Sequence, residues 1–416
     1  MPSKSIAFFK HGPPRQHGAA LLIFLVILVV GIAAWLVSSF TTTALENARR
    51  KTTFDALTQA RDALIGRAVN DNNIPGSLPC PDTNDDGSAE LLSGNNCPSY
   101  IGRLPWKTLG LPDLRDGSGE ELWYALSPAF RDDNSASPIN SNTKGTLVVY
   151  NSDGVSQQTQ AGYNAVAVIF SPGSAIGSQI RSTVAQQNDP ANYLDIANGY
   201  NDYTASGPFI AGAKSATFND QLLFITTKDL IPLVELRVAG VVKGALTNYY
   251  NINNYYPWAD NIASATDYNA NAGLNRGWLP NDASTNPGWP YPSTPNWPAG
   301  NPPQWFFDNQ WYTLIYYSVA HDYTAYPSGC TSCINSTLSV TNNNITPSVT
   351  DSTVRVLFFM PGTPIGTLVR SVTTLSDYLE DAGNNDNADD LYGTPTSQAF
   401  DRDRLYRCTS TSLWKP

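Results

Sequence analysis

Apolar residues form one unbroken stretch near the start of the chain and then thin into a regular pattern. From Ala19 to Val37 the sequence reads AALLIFLVILVVGIAAWLV, nineteen residues without a charge or a proline. Beyond it Phe54, Leu57, Ala60, Leu64 and Ala68 recur every three or four residues, the helical period. Arg50, Lys51, Asp55, Arg61, Asp62 and Arg67 occupy the other faces. Only Gly31 and Gly66 interrupt this stretch, so the spacing predicts one helix over about 19–69. At about 1.5 Å per residue such a helix is roughly 75 Å long. Its first half is apolar all round, and its second half is amphipathic and must lie on something apolar.

Further along, short runs rich in β-branched and aromatic residues alternate with Gly, Pro, Asn and Asp. WYALS, TLVVY and VAVIF read as strands. A second helix is expected from Asp229 to about Asn248, with Val234, Val238, Val241, Ala245 and Tyr249 on its apolar face. It begins a second copy of the first pattern. LRDGSGEELWYALS (114–127) matches WFFDNQWYTLIYYS (305–318), and VAVIFSPG (166–173) matches VRVLFFMPG (354–362). NYLD (192–195) matches DYLE (377–380), and FNDQLLF (218–224) matches FDRDRLY (400–406). Ser127 pairs with Ser318, Pro172 with Pro361, Tyr193 with Tyr378 and Phe218 with Phe400, always in the same order.

Composition bounds the function. The chain has 416 residues, 14% charged and 41% hydrophobic, enough apolar material for a sizeable core and too little charge for a disordered chain. Its net charge is −10, and without the three basic residues of 1–18 the mature side chains carry −13. Such acidity argues against nucleic acid as a partner. Lys4, Lys10 and Arg15 precede the apolar run, and no basic residue follows until Arg49, which orients the N-terminus toward the cytoplasm. A run of this length suits a single membrane span. The expected location is therefore the bacterial inner membrane, single-pass, with the rest in the periplasm. Cys80 and Cys97 close a short loop and suit a disulfide there. Cys330, Cys333 and Cys408 are further disulfide candidates of open connectivity.

The junction RQHG-AALLIFLVILVV resembles the N-terminus of type IV pilins and type II secretion pseudopilins. That resemblance implies cleavage by a prepilin peptidase between Gly18 and Ala19, with methylation of the new terminus. It also implies packing against other pilin or pseudopilin subunits. The family's glutamate at mature position five is Ile23 here, which fits a minor subunit. The turn before Leu122-Trp123-Tyr124 and the strand ending Asn151-Ser152-Asp153-Gly154 are similar to a pseudopilin head. The expected fold class is thus α+β. It has a long N-terminal helix, half transmembrane and half amphipathic, and two tandem pilin-like helix-plus-antiparallel-sheet modules. The corresponding organisation is a leader 1–18, a membrane segment 19–40, a first module 41–227 and a second module 228–416 with an aromatic and Pro-rich insertion.

Candidate chemistry is sparse. Asp82-Thr83-Asn84-Asp85-Asp86-Gly87 matches the first half of an EF-hand loop. Asp82, Asn84, Asp86 and Glu90 are the candidate ligands, and calcium is the candidate cofactor. Glu380-Asp381 through Asp386, Asp389 and Asp390 form a second acidic loop. His321 is the only histidine beyond the leader, and no G-x-S-x-G or zinc-type cluster accompanies it, so no catalytic residue is assigned. Trp258, Trp278, Trp289, Trp297, Trp305 and Trp311 crowd into 249–326 and read first as core. The expected function is a minor prepilin-like structural subunit of a type II secretion pseudopilus or type IV pilus, at the tip or in assembly initiation. The alternative is a signal-anchored periplasmic module that binds carbohydrate or a partner protein through 249–326.

Overall fold

The computed structural model describes residues 19–133, 138–262, 273–280, 297, 301–324, 335–344, 346–379, 384, 390–394, 403–409 and 414–415. Two compact units divide the chain, Met1–Thr52 and Thr53–Pro416. Helix α1 covers Ala19–Asn70. In the larger unit it buries Ala56, Leu57, Ala60, Leu64 and Ala68, an i, i+4 stripe of small and branched side chains. Phe54, expected on that stripe, is instead 60% exposed, and Ala56 takes the buried position. At the end of α1 the Arg237 guanidinium donates to the carbonyls of Val69 and Asp71 at 2.6 and 2.7 Å. It thereby satisfies acceptors that a helix terminus leaves open. The Asp71 carboxylate accepts from Asn73 and Ile74 at 2.8 Å and turns the chain out of the helix.

The next segment supplies β1 (Ile101–Arg103), β2 (Trp123–Leu126), β3 (Val149–Asn151) and β4 (Ala165–Ser171). After a four-residue helix, α2 (Val184–Gln187), come β5 (Ile196–Ala197), β6 (Tyr200–Asn201), β7 (Phe209–Ala211) and β8 (Gln221–Thr226). Four of these make an antiparallel sheet in the order β1-β2-β4-β8. Every residue of β4 is buried, because both faces are covered. Tyr124, Leu126, Ala167 and Ile169 face the main core, while Trp123, Ala125, Val168 and Phe170 face a smaller one with Tyr193 and Phe209. This is the two-residue alternation of a strand.

Helix α3 (Thr227–Asn253) starts where the Asp229 carboxylate accepts from the Thr226 N–H and hydroxyl at 2.8 and 2.7 Å. It ends at Asn254, whose φ of 63° is the left-handed C-terminal turn. Val234, Val238, Val242, Ala245 and Tyr249 are buried, so Val242 rather than Val241 completes the stripe. Beyond α3 lie β9 (Arg276–Trp278), α4 (Gln304–Asp308), β10 (Tyr316–Val319), β11 (Leu338–Asn342), β12 (Val349–Met360), β13 (Leu391–Gly393), β14 (Arg404–Thr409) and β15 (Trp414–Lys415). These seven strands form one sheet. Within it β9-β10-β12-β14 repeats the antiparallel run β1-β2-β4-β8. Trp258, Trp278, Trp305 and Trp311 are all buried in it or beside it.

Three expectations are corrected. Among the described residues no helix is long and apolar enough to cross a membrane, so a transmembrane half-helix is not supported. The single-pass inner-membrane location and the pilin-type features tied to a membrane helix fall with it. The expected fold of tandem helix-plus-antiparallel modules is also replaced. The larger unit is mostly β-sheet with some helices, and its second sheet is mixed, β11 and β13 running parallel. A single core takes Leu57 and Ile169 of one copy together with Tyr317 and Phe358 of the other.

Candidate functional site

The loop with the proposed calcium ligands lies inside the ring closed by the disulfide that joins Cys80 to Cys97. Its four named residues are brought together, and their oxygens are already engaged. Asp82 Oδ1 accepts from the N–H groups of Asn84 and Asp85 at 3.0 and 2.8 Å, and its Oδ2 from that of Gly87 at 2.7 Å. Asn84 Oδ1 accepts from Asp86 N–H at 3.0 Å, and Asp86 Oδ1 from Ser88 N–H at 2.7 Å. The Ser88 N–H holds the Asp86 carboxyl below its usual range. Glu90 Oε1 accepts from the N–H and hydroxyl of Thr83 at 3.1 and 2.6 Å. Gly87 closes the turn at a φ of +79°, and a Cβ there would stand 2.6 Å from the Trp106 ring. Among the described residues no group of three His, Cys, Asp or Glu side chains is placed to hold a metal ion.

Asp85 faces the other way, into a cluster that sequence reasoning missed. Arg103 on β1 is 4% exposed, and its Nε lies 2.6 Å from Glu121 and 3.4 Å from Asp85. Its Nη atoms donate to Asn188 Oδ1 at 3.0 Å and to the Gln187 carbonyl at 2.6 Å. The guanidinium lies over the rings of Trp123 and Tyr193 at 5.3 and 5.5 Å. Arg181 covers Tyr193 at 4.0 Å and pairs with Glu120 at 2.6 Å. Arg115 pairs with Glu121 at 2.7 Å and with Asp113 at 2.6 Å. Burial, then the neighbouring Asp85, pushes the Glu121 carboxyl up to about 7 against the opposing pull of Arg103 and Arg115. The cluster offers three guanidinium cations and a carboxyl that titrates near neutrality. It fastens the segment around α2 to the first sheet. The alternation of Glu121 with Leu122 ahead of a strand is the signal that could have drawn attention to it.

Other candidates stand apart. His321 Nδ1 lies 2.8 Å from Asp322 Oδ1. Cys408 is a free, buried thiol whose burial raises it, and the Tyr256 hydroxyl lies 3.8 Å from its Sγ. Trp297, with Trp258, Trp278, Trp305 and Trp311, serves as packing. Gly18, Cys330, Cys333, Trp289 and most of the second acidic loop lie outside the described residues; Asp390 of that loop is buried and pairs with Arg276 at 2.9 Å. Ala19 is the first residue of α1. Asp202, fully buried, accepts from Ile210 N–H at 2.8 Å, and burial pushes it up to about 8.

No family model, no curated protein and no solved structure matches the chain.

Proposed function

We propose that the chain is a structural subunit of a multi-chain assembly, not an enzyme, joined to its neighbours by the first part of α1. The observation that carries this is exposure. Leu21, Leu22, Ile23, Phe24, Ile27 and Trp35 are all more than 60% exposed on consecutive turns of one helix. Larger apolar surfaces left open in this way mark contact sites for partners. The long apolar side chains and the absence of charge over 21–35 suit a second apolar helix, packed side by side.

Native mass spectrometry of the full chain tests it. A complex of more than one chain is expected. A chain that stays monomeric and purifies alone would refute the proposal.

A further inference from the structure

Three acids are closed off from solvent where the β5–β6 hairpin meets the start of β8. Asp195 precedes β5, Asp202 follows β6 and Asp220 precedes β8, and each is more than nine-tenths buried. Hydrogen bonds join them. Asp220 Oδ2 accepts from the Asp195 N–H at 2.6 Å, and the Asp202 N–H donates to the Asp195 carbonyl at 3.0 Å. Asp195 Oδ1 accepts from Gln179 Nε2 at 2.9 Å, and its Oδ2 from the Asn219 N–H at 2.7 Å. Asp202 Oδ1 accepts from the Ile210 N–H of β7 at 2.8 Å. Carboxyl groups thus tie the hairpin to β7 and β8.

The remaining oxygens decide the charge state. Asp202 Oδ2 and Asp220 Oδ1 are buried and receive no N–H or hydroxyl among the described residues. The Asp220 side chain meets that of Asp195. Two carboxyls in contact inside a closed site do not both ionise, so they share one proton. It belongs on Asp220 Oδ1, the oxygen without a donor, and is given to the Asp195 carboxylate, which already accepts from Gln179 and Asn219. Arg181 is the cation that acts on Asp195 and Asp220, and it is committed elsewhere. It pairs with Glu120 at 2.6 Å and donates to the Asn192 carbonyl at 2.8 Å and Gln179 Oε1 at 3.2 Å. Beyond Tyr193 the next charges are Arg103 and its partner Glu121. One shared cation does not offset three buried carboxylates. Burial raises all three carboxyls, Asp202 to about 8.

We propose that protons on Asp202 and Asp220 latch the β5–β6 hairpin to β7 and β8, and that their loss in mildly alkaline solution frees the hairpin. Opening puts the carboxylates in water and uncovers Tyr193, which packs on Trp123 at 4.9 Å in the smaller core. In the open hairpin each carboxyl returns to its ordinary 3.8, below its value in the closed one. The latch is therefore full below about pH 3.8 and weakens as pH rises, until the closed form too has lost its protons.

Hydrogen–deuterium exchange of the full chain at pH 6 and pH 8, with intrinsic exchange rates divided out, tests this. Amides of 194–203 are expected to lose at least about tenfold in protection between the two, more than those of β4. Asp220→Asn keeps the acceptor for the Asp195 N–H and puts a permanent N–H where the proton sits. Asp202→Asn keeps the acceptor for Ile210. Each should shrink the loss, and the two together should bring it within about twofold, with β4 still protected as the sign of a kept fold. Equal protection of 194–203 at both pH values in the parent chain overturns the proposal. A loss that persists unchanged in both variants belongs to Glu121 and overturns it as well.

Discussion

The two four-strand runs, β1-β2-β4-β8 and β9-β10-β12-β14, share a frame and differ in what surrounds one tyrosine. Tyr193 and Tyr378 each end a short 3₁₀ turn, and each packs on a tryptophan, at 4.9 and 4.7 Å. Each also has an arginine over its ring. In the first copy the arginines Arg103 and Arg181 are paired with Glu121 and Glu120. In the second, Arg370 donates to backbone carbonyls, and Tyr312 stands six residues before Ser318 just as Glu121 stands six before Ser127. Where the first run carries an ionic clasp, the second carries an arginine held by carbonyls, on a similar hydrophobic frame.

The sharpest way to break this comparison is to truncate the two arginines. Arg103→Ala leaves Glu121 with Arg115 as its ionic partner, opens the contacts to Gln187 and Asn188, and should cost about 3 kcal/mol in urea unfolding. Arg370→Ala strands the carbonyls of Pro361, Gly362 and Asp377, leaves Arg404 paired with the buried Glu235, and should cost about 1–3 kcal/mol. Equal losses would mean the two surroundings are energetically alike.

The pH profile sharpens it next. Glu121 sits at about 7 in the folded chain against 4.5 for the free side chain. The folded state therefore keeps a proton that the unfolded state has released. Its stabilisation is full below about pH 4.5 and is lost as pH rises through about 7. Glu121→Gln should remove this slope, a difference on the order of 1–3 kcal/mol between pH 5 and 8. Tyr312→Phe in the second copy should leave the slope as it is. An unchanged slope in Glu121→Gln would sink the assignment.

Smallest is the effect of the hydroxyls. Tyr193→Phe should stay within about 0.5 kcal/mol of the parent, as for substitutions outside buried polar networks. Tyr378→Phe removes the hydroxyl that the Asn142 side chain meets and should cost about 0.5–1.5 kcal/mol by thermal melting. No loss would show that this contact contributes nothing.

Much of the frame was legible because it is periodic or repeated. The stripe Leu57, Ala60, Leu64 and Ala68 announces a helix, and Ser127 with Ser318 aligns β2 with β10. The Cys80–Cys97 pairing follows from proximity along the chain. The Arg103 clasp was hidden because its partners lie 84 and 85 residues away. Registers between strands far apart in sequence leave no local mark. The Asp82 loop showed its ligand types but not that its own N–H groups use them. Phe54 fits the helical period, yet Ala56 faces the core, because neighbouring positions straddle the edge of a stripe about 100° wide. The apolar run 19–37 suggested a span, and sequence alone does not distinguish lipid from a protein partner.

Photo-crosslinking from Val29 on the exposed apolar part of α1, in cells expressing the full chain, is the most direct test of that partner. The account predicts a covalent adduct to an apolar helix of another chain, lost when Leu25 and Leu28 are changed to glutamate. Adducts to lipid alone, or none, would contradict it.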